Sequence, residues 1–271
     1  MFKHLFSFFT PLKGPNIVVQ STFGPMIVNS NDKYIGAEIR KTGAWQIAEV
    51  QFILQLAEFL IQEHGRILVY DIGANVGQHT LALATTFKDS IKIRAFEPQR
   101  PIFQMLCDTL ALNKCQNVNC EFALVGAESG KVITVRLPDY SALNNFGGFE
   151  FVKAAISDND DMQLDETEEV IPCRTVDSYA EHVHLMKIDV EGMELEVLAG
   201  ARETIAQMQP ICYVETCKVG EEPIQAFFTG IGYKVFARND NIVAIPNVNF
   251  SNLRFLQFVN SMSENSRLLL R

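Results

Sequence analysis

The stretch LVYDIGANVGQHTLALA, residues 68–84, has the pattern of a strand, a tight turn and a helix. An apolar run leads to Asp71, glycines stand at positions 73 and 77, and an apolar helical segment begins near Val76. Because glycine has no Cβ atom, Gly73 and Gly77 let the backbone turn sharply and approach a ligand, while the start of a helix offers N–H groups to an anion. The turn therefore suits a carboxylate or a phosphate, although a purely structural turn favours the same glycines.

A second acidic residue, Glu97 in AFEPQ, is predicted to lie beside Asp71. Both residues end neighbouring strands, and ligands of open α/β sheets bind beyond the carboxyl ends of the strands. A carboxylate there can accept both hydrogen bonds of a ribose diol. A NAD-binding protein has an acidic residue in the same place, but its turn has the pattern G-x-G-x-x-G, whereas this chain has G-A-N-V-G. The glycine pattern thus counts against a dinucleotide cofactor.

Strands and helices alternate through most of the chain. The predicted strands are RILVYDIG, IKIRAFEP, VNCEFALVG, VHLMKIDVEG and PICYVET, and the helices between them are VGQHTLALATTF, RPIFQMLCDTLALNK and MELEVLAGARETIAQM. This alternation predicts an α/β fold with a mostly parallel sheet and helices on both faces. The segment EEPIQAFFTGIGYKVFARNDNIVAIP predicts a further helix and a terminal antiparallel hairpin that turns at RNDN.

Other segments flank or interrupt this α/β domain, for which we predict residues 66–248. Residues 1–65 are predicted to form a β-hairpin and a lead-in helix, WQIAEVQFILQLAEFLIQEHG, packed on the core, and residues 249–271 a C-terminal helix. Residues 126–183 break the alternation and are predicted to form an insertion or lid, with an added strand at GKVITVRLP and a loop at NNFGGFEF. We interpret its acidic run, SDNDDMQLDETEEV, as a solvated surface loop.

The composition indicates a globular protein of a reducing, cytoplasmic compartment. The formal charge of −9 disfavours phosphate-dominated binding of nucleic acid, and the six cysteines have no CxxC or zinc-like spacing. No stretch reaches the roughly 18–20 apolar residues that span a bilayer, so we expect no transmembrane segment. The apolar N-terminus, MFKHLFSFFTPLKG, lacks a signal-peptide cleavage site. A homodimer that forms through the apolar termini is an open alternative.

Several motifs follow one another as in FkbM-type methyltransferases, which the chain closely resembles: DIGANVGQHT, AFEP, LALNKCQNV, EFALVG, CRTVDSY and LMKIDVEGMELEVLAGA. The similarity spans residues 66–236, and KIDVEGMELEVLAGA is its most specific part, whereas DIGANVG occurs in many methyltransferases. The resemblance implies a Rossmann-like class I methyltransferase fold with a mostly parallel seven-stranded sheet and a terminal antiparallel hairpin. It also implies S-adenosylmethionine as the cofactor and O-methylation of a hydroxyl on a small molecule, sugar or natural product.

The resemblance also assigns cofactor contacts. Four residues match the loop around the methionine part of the cofactor: Asp71, Gly73, Asn75 and Gly77. Glu97 matches the residue that binds the ribose of the cofactor. Phe122 and Ala123 fall where the adenine would lie, although EFALVG departs from the acidic residue that many relatives have near there. Glu49 in the lead-in helix could approach the cofactor ammonium, and a solvated helix glutamate is the equal alternative.

The acceptor side is predicted from KIDVEG, which ends the fourth strand of the sheet. Strand alternation sends Lys187, Asp189 and Glu191 to one side unless the strand has already ended. Since a hydroxyl acceptor must lose its proton, we predict Asp189 as the general base, Glu191 as the next candidate and Lys187 as the group that lowers their pKa or holds an anion. A structural salt-bridge network is the alternative. Asp189, Glu191 and Glu215 could offer oxygens to Mg²⁺, but no spacing requires it, and no metal is predicted.

Four residues are candidates for contacts with the acceptor: His79, Glu215, Trp45 and Phe146. A structural histidine is the alternative for His79, and core packing accounts equally well for Trp45 and Phe146. Other acceptors stay open, namely a carboxylate that would give a methyl ester and an amine of a peptide or natural product. Two other classes of protein also stay open: an NAD(P)-dependent oxidoreductase and a non-catalytic module that binds S-adenosylmethionine.

Overall fold

A computed structural model describes residues 14–151, 162–251, 254 and 269–270 of the 271-residue chain. The apolar N-terminus, part of the acidic run and most of the predicted C-terminal helix lie outside the described residues. At the described end of the chain, Asn247–Ser251 form a 3₁₀ turn and Leu269–Leu270 form a strand, so a single helix over 249–271 is wrong there.

The described elements follow the predicted alternation closely. The strands are β1 Asn16–Ser21, β2 Gly24–Asn29, β3 Ile67–Ile72, β4 Ile91–Phe96, β5 Val118–Glu121, β6 Leu124–Val125, β7 Val132–Pro138, β8 Leu164–Arg174, β9 Leu185–Ile188, β10 Ile211–Glu215, β11 Tyr233–Arg238, β12 Asn241–Pro246 and β13 Leu269–Leu270. The helices are α1 Ile35–Thr42, α2 Ile47–His64, α3 Gln78–Phe87, α4 Arg100–Leu112, α5 Glu194–Ala199, α6 Arg202–Met208 and α7 Glu221–Thr229.

The main sheet is mixed and has the order β13-β11-β12-β10-β9-β3-β4-β5 among the described residues. From β10 to β5 all neighbours are parallel, and β12 runs antiparallel to both β10 and β11. The α/β class and the antiparallel hairpin are confirmed. The predicted count of seven strands is wrong, because β13 adds an eighth strand beside β11. An edge strand presents unpaired N–H and C=O groups, which another segment can pair.

Apolar helices cover both faces of this sheet. On one face, α2 and α3 pack through residues such as Phe52, Leu56 and Leu83. On the other face, α5, α6 and α7 pack through Val197, Ile205 and Phe228. The strand order reverses at β3, with β4 on one side and β9 on the other, and this reversal opens a crevice at the carboxyl ends of the strands.

The N-terminal hairpin is confirmed as β1 and β2, which are antiparallel. It packs against α4, where the side-chain amide of Asn113 donates to the carbonyl oxygen of Pro25 over 2.7 Å. The sequence analysis missed α1, a helix of eight residues that ends at Gly43 in the left-handed conformation. Division of the chain at residue 65 stays a prediction.

The predicted insertion forms a second, three-stranded sheet of order β6-β8-β7. The interpretation of the acidic run as a loop is wrong where the chain is described, because residues from Leu164 onward form β8 and pair antiparallel with β7. Among the side chains of β8 only that of Ile171 is buried, so backbone hydrogen bonds hold a strand that few buried side chains support. The predicted strand VNCEFALVG breaks after Glu121, since β6 leaves the main sheet to pair with β8. The predicted helix MELEVLAGARETIAQM is likewise two helices, α5 and α6.

In the part of the chain that the structure describes, no single helix has the length and apolar character needed to cross a membrane. Helices α1 and α2 together meet the length and composition criteria, but they are bent by 86° to each other.

Candidate active site

The loop after β3 is built so closely that two positions require glycine. Gly73 has φ +80°, and a Cβ atom there would stand 1.7 Å from the carbonyl oxygen of Asp189. Gly77 has φ +88°, and its Cβ atom would lie 2.5 Å from a methyl group of Leu106. The loop after β3 therefore packs directly against the loop after β9, and no larger side chain can stand between them.

The carboxylate of Glu97 binds backbone N–H groups in the loops after β3 and β4. Its Oε2 accepts from the backbone N–H of Asn75 over 3.0 Å, and its Oε1 accepts from the N–H of Gln99 over 2.8 Å. Burial raises the pKa of Glu97 to about 7, against the opposing effect of these two N–H donors. Each carboxylate oxygen has a second lone pair, so Glu97 keeps the capacity to accept from a ligand diol.

Lys187 joins the two sides of the crevice. Its Nζ donates to the carbonyl oxygen of Gly73 over 2.8 Å and lies 3.3 Å from both Asp71 Oδ1 and Asp189 Oδ2. Asp71 also accepts from the hydroxyl of Thr80 over 2.6 Å. Burial alone would lower the pKa of Lys187, but the charges of Asp189 and Asp71 raise it above its ordinary value. The geometry agrees with the salt-bridge alternative, and little of this ammonium is left to hold a substrate anion.

Three carboxylates, those of Asp189, Glu191 and Glu215, form an acidic wall, with ligand oxygens within 4.8 Å of one another. Strand β9 ends at Ile188, so Asp189 and Glu191 stand in the following loop rather than on alternate strand positions. Burial, followed by the charge of Asp189, raises the pKa of Glu191 to about 7 and that of Glu215 well above its ordinary range. The buried Oε2 of Glu215 has no hydrogen-bond partner among the described residues. A shared proton or a cation would relieve the repulsion in this group.

His79 lies in the first turn of α3 and lines the same pocket. Burial, followed by the charge of Lys187, lowers the pKa of His79 to about 4, so the ring is neutral near pH 7. Its buried Nε2 has no hydrogen-bond partner among the described residues. A neutral imidazole there can donate a hydrogen bond to a ligand or accept one from it, but it offers the ligand no charge.

These residues surround a pocket of about 300 Å³ at the carboxyl ends of the strands. Ten of the predicted site residues line it: Trp45, Gly73, Asn75, His79, Glu97, Ala123, Lys187, Asp189, Glu191 and Glu215. The pocket therefore brings the predicted cofactor loop, Glu97 and the acidic wall into one cavity.

Five other predicted residues are not among its lining. Asp71 and Gly77 lie behind the lining: Asp71 pairs with Lys187, and Gly77 packs against Leu106. The ring of Phe122 turns instead to Phe103 and Arg100. The Glu49 carboxylate accepts from the side-chain amide of Asn241 over 3.1 Å. Phe146 is wholly buried and stacks on Tyr140, while Phe149 from the same loop does reach the pocket.

The sequence analysis missed several residues that shape the pocket. Gln78 and Gln99 are buried amides that tie other segments to its rim: Gln78 binds the backbone of Trp45, and Gln99 donates to the carbonyl oxygen of Phe146 over 3.0 Å. An ion pair of 2.9 Å between Lys218 and Glu150 joins the loop after β10 to the insertion. The only sequence signals were the glutamine that directly follows Gly77 and the glycine pair in NNFGGFEF.

In the main sheet the antiparallel strand β12 stands between β10 and β11, and the glycine turn lies where the strand order reverses. Both are features of an α/β methyltransferase. The chain belongs to the FkbM methyltransferase family, since the family's Methyltransferase FkbM domain matches residues 71–242. This membership favours a methyltransferase over the nicotinamide-dependent oxidoreductase. A search of curated proteins found no match.

Similar solved structures share little sequence with this chain. A methyltransferase FkbM from Methylobacillus flagellatus is 18% identical over 66% of this chain and 43% of its own length, with a TM-score of 0.47. A SAM-dependent methyltransferase from Aquifex aeolicus is 13% identical over 74% of this chain and 98% of its own, with a TM-score of 0.38. The tRNA (uracil-54, C5)-methyltransferase of Pyrococcus abyssi, in complex with S-adenosyl-L-homocysteine, is 10% identical over 85% and 44%, with a TM-score of 0.45. The matched part of this chain thus covers less than half the length of the FkbM structure.

Proposed function

We propose that this chain transfers a methyl group from S-adenosylmethionine to a hydroxyl oxygen of a small molecule, sugar or natural product. One observation carries the proposal: the glycine turn after β3, a buried carboxylate bound to backbone N–H groups and the acidic wall meet in one pocket. The first two features fit the cofactor, and the third fits the removal of a proton from the acceptor.

The cofactor half of the pocket fits S-adenosylmethionine on three counts. Close packing of Gly73 against Asp189 and of Gly77 against Leu106 fixes the turn after β3, so that its backbone from Gly73 to Asn75 lines the pocket and can approach a ligand. No side chain caps the amino end of α3, and its first N–H groups favour a carboxylate such as that of the methionine part. Glu97 would hold the ribose diol, and Ala123, which is buried at the end of the neighbouring strand, leaves room for the adenine.

The acceptor half supplies a proton acceptor. When bound, S-adenosylmethionine would supply an electrophilic methyl group, whose bond to sulfur breaks as its bond to the acceptor oxygen forms, with the electron pair left on sulfur. The hydroxyl proton passes to a carboxylate of the acidic wall and then to solvent. Asp189 is neutralised by the Lys187 ammonium, whereas Glu215 and Glu191 have pKa values raised toward neutral pH and are better matched to this task.

The same wall bears on the other acceptor classes. A carboxylate acceptor would have to enter beside three carboxylates, and like charges at such short range repel. A hydroxyl or an amine meets no such repulsion, because both can donate a hydrogen bond to the wall. The ester-forming alternative is therefore the less favourable one on electrostatic grounds, and an amine acceptor stays the second candidate.

Matched acceptors test this proposal directly. The full chain is incubated with methyl-labelled S-adenosylmethionine and a panel of sugars, polyols and phenols, each paired with its amine and its carboxylic acid counterpart. We expect label on the hydroxyl compounds in a form that resists mild base, as an ether does. Label that mild base releases as methanol would indicate an ester and contradict the proposal. Bound cofactor without transfer to any acceptor would indicate the non-catalytic module.

The location, partners and domain division of the protein are also proposed. We propose a cytoplasmic protein whose partner is a small-molecule, glycan or peptide acceptor, with no nucleic acid partner, since the formal charge is −9. The division into an N-terminal segment of residues 1–65, a domain of residues 66–248 and a C-terminal segment of residues 249–271 is proposed on the same footing. A homodimer through the apolar termini is testable by light scattering.

A further inference from the structure

Part of the pocket wall comes from a segment that the family match does not cover. The match begins at residue 71, yet Tyr34 and Trp45 line the pocket together with the loop from Gly73 to Asn75. Trp45 stands between α1 and α2, at the bend where the two helices meet. The N-terminal segment thus adds residues of its own to the lining of the site.

Trp45 is fastened to the cofactor loop by one side chain, Gln78. The side-chain oxygen of Gln78 accepts from the backbone N–H of Trp45 over 2.6 Å, and its side-chain NH₂ donates to the carbonyl oxygen of Trp45 over 2.6 Å. Gln78 is only 5% exposed. An uncharged amide is the side chain that offers an acceptor and a donor side by side, so it can bind both backbone groups of one residue. Loss of this amide would leave both groups without these partners.

The loop that carries Trp45 is also held from its other end. The backbone N–H of Thr22 donates to the carbonyl oxygen of Gly43 over 2.9 Å, and the hydroxyl of Thr42 donates to the carbonyl oxygen of Ala44 over 2.8 Å. Hydrogen bonds to Trp45 itself and to the two residues before it therefore restrict the backbone that carries its ring. A ring held in this way can serve as a fixed wall for a ligand, because little of its freedom is lost on binding.

The place of Gln78 indicates which part of a ligand Trp45 faces. Gln78 is the first residue of α3, directly after Gly77, and so belongs to the turn proposed for the methionine half of the cofactor. Glu97 and Ala123 follow β4 and β5, on the other side of this turn, and are proposed for the adenosine half. Trp45 is therefore tied to the methionine end of the pocket.

The chemistry of that half matches an indole ring. The methionine half of S-adenosylmethionine carries a sulfonium and an ammonium, and the face of a tryptophan ring attracts cations. The ammonium of Lys187, which lines the same pocket, is already paired with Asp71 and Asp189. We propose that Trp45 forms the wall around the methionine half of the bound cofactor and that Gln78 is its positioning residue. The inference rests on the proposed function, because it presumes that cofactor.

Intrinsic fluorescence can test this proposal without knowledge of the acceptor. Trp45 is the single tryptophan of the chain, so emission reports on this residue alone. The two probes are S-adenosylhomocysteine and 5′-methylthioadenosine, which share the adenosine and the sulfur but differ in the amino acid part. We expect S-adenosylhomocysteine to change the emission and bound 5′-methylthioadenosine to leave it unchanged. An equal response to both, or none to bound S-adenosylhomocysteine, would overturn the proposal.

Affinities of variants provide the second measurement, by calorimetry. Trp45→Ala and Gln78→Ala should weaken S-adenosylhomocysteine about tenfold and leave 5′-methylthioadenosine within about twofold. Gln78→Glu replaces the NH₂ donor by a second acceptor that faces the carbonyl oxygen of Trp45, so it should weaken S-adenosylhomocysteine at least as much as Gln78→Ala. The exposed Gln104 on α4 gives the matched control, Gln104→Ala, with no effect expected.

The outcomes separate this inference from the function on which it rests. If the wild-type chain binds no S-adenosylhomocysteine, both are overturned. If it binds that ligand but Trp45→Ala binds both probes as tightly as wild type, only the role of Trp45 is overturned. Should a variant fail to fold, which its circular dichroism would reveal, the fluorescence of the wild-type chain still decides the question.

Discussion

The Nζ atom of Lys187 and the Oδ1 atom of Asp71 lie 3.3 Å apart at a place where both side chains are almost fully buried. This ion pair joins β9 to the carboxyl end of β3, and the same ammonium also holds Asp189 at 3.3 Å. The loop proposed for the cofactor and the wall proposed for the acceptor are therefore linked through one charge. Removal of that charge should disturb both.

Replacement of Lys187 should destabilise the fold. Lys187→Met leaves the carboxylate of Asp71, which is 1% exposed, without its cation, and breaking a buried pair in this way costs about 3–5 kcal/mol. Denaturant unfolding measures the loss. The exposed Lys41 supplies the control, Lys41→Met, for which a change within about 0.5 kcal/mol is expected. A loss of equal size in both variants would contradict the linking role of Lys187.

The close approach at Gly73 should not tolerate a methyl group. In Gly73→Ala the new Cβ atom would stand 1.7 Å from the carbonyl oxygen of Asp189, so the loops after β3 and β9 must separate. Gly130 has a similar φ of +81° but nothing within 4 Å, so Gly130→Ala isolates the backbone strain, about 1–2 kcal/mol. We expect Gly73→Ala to unfold at lower denaturant than Gly130→Ala and to lose S-adenosylhomocysteine binding. Equal stability of the two variants would show that the loops are not in contact.

The acidic wall should make stability depend on pH. The folded state raises the pKa of Glu191 from 4.5 to about 7, through burial and then the charge of Asp189, so the folded chain binds this proton more tightly than the unfolded chain. This contribution to stability is fully present below pH 4.5 and is lost as the pH rises through about 7. In Glu191→Gln the free energy of unfolding should fall less steeply over this interval. The exposed Glu58 gives the control Glu58→Gln, and equal slopes in the two variants would argue against a perturbed Glu191.

The parts of the site that stand at the ends of neighbouring strands were predictable from the sequence. A strand that runs into Asp71 and two glycines has few ways to turn, and Glu97 ends the next strand, so both had to stand at the same rim of the sheet. The pattern did not determine which atoms face the ligand. Asp71 turns behind the pocket to Lys187 and Thr80, because the buried ammonium of Lys187 needs a counter-charge.

Contacts between distant parts of the chain could not be predicted from local patterns. Glu49 binds Asn241, 192 positions later, and no periodicity reports such a pair. Phe146 and Phe149 are three residues apart in one irregular loop, where neither strand nor helix spacing tells which ring reaches the pocket. The acidic strand β8 could not be predicted for a related reason, because its pairing with β7 stabilises it and its own side chains show no strand pattern.

The most direct test of the account is whether Glu97 binds a ribose diol in this pocket. Calorimetry would measure the affinities of adenosine and 2′,3′-dideoxyadenosine, together with S-adenosylhomocysteine, for the wild-type chain and for Glu97→Gln. We predict that the wild type binds S-adenosylhomocysteine and prefers adenosine to its dideoxy analogue by about tenfold or more, since hydrogen bonds to a charged group are worth about 1.5–3 kcal/mol each. This preference should shrink in Glu97→Gln. A wild-type chain that binds no S-adenosylhomocysteine, or binds both nucleosides equally, would contradict the account.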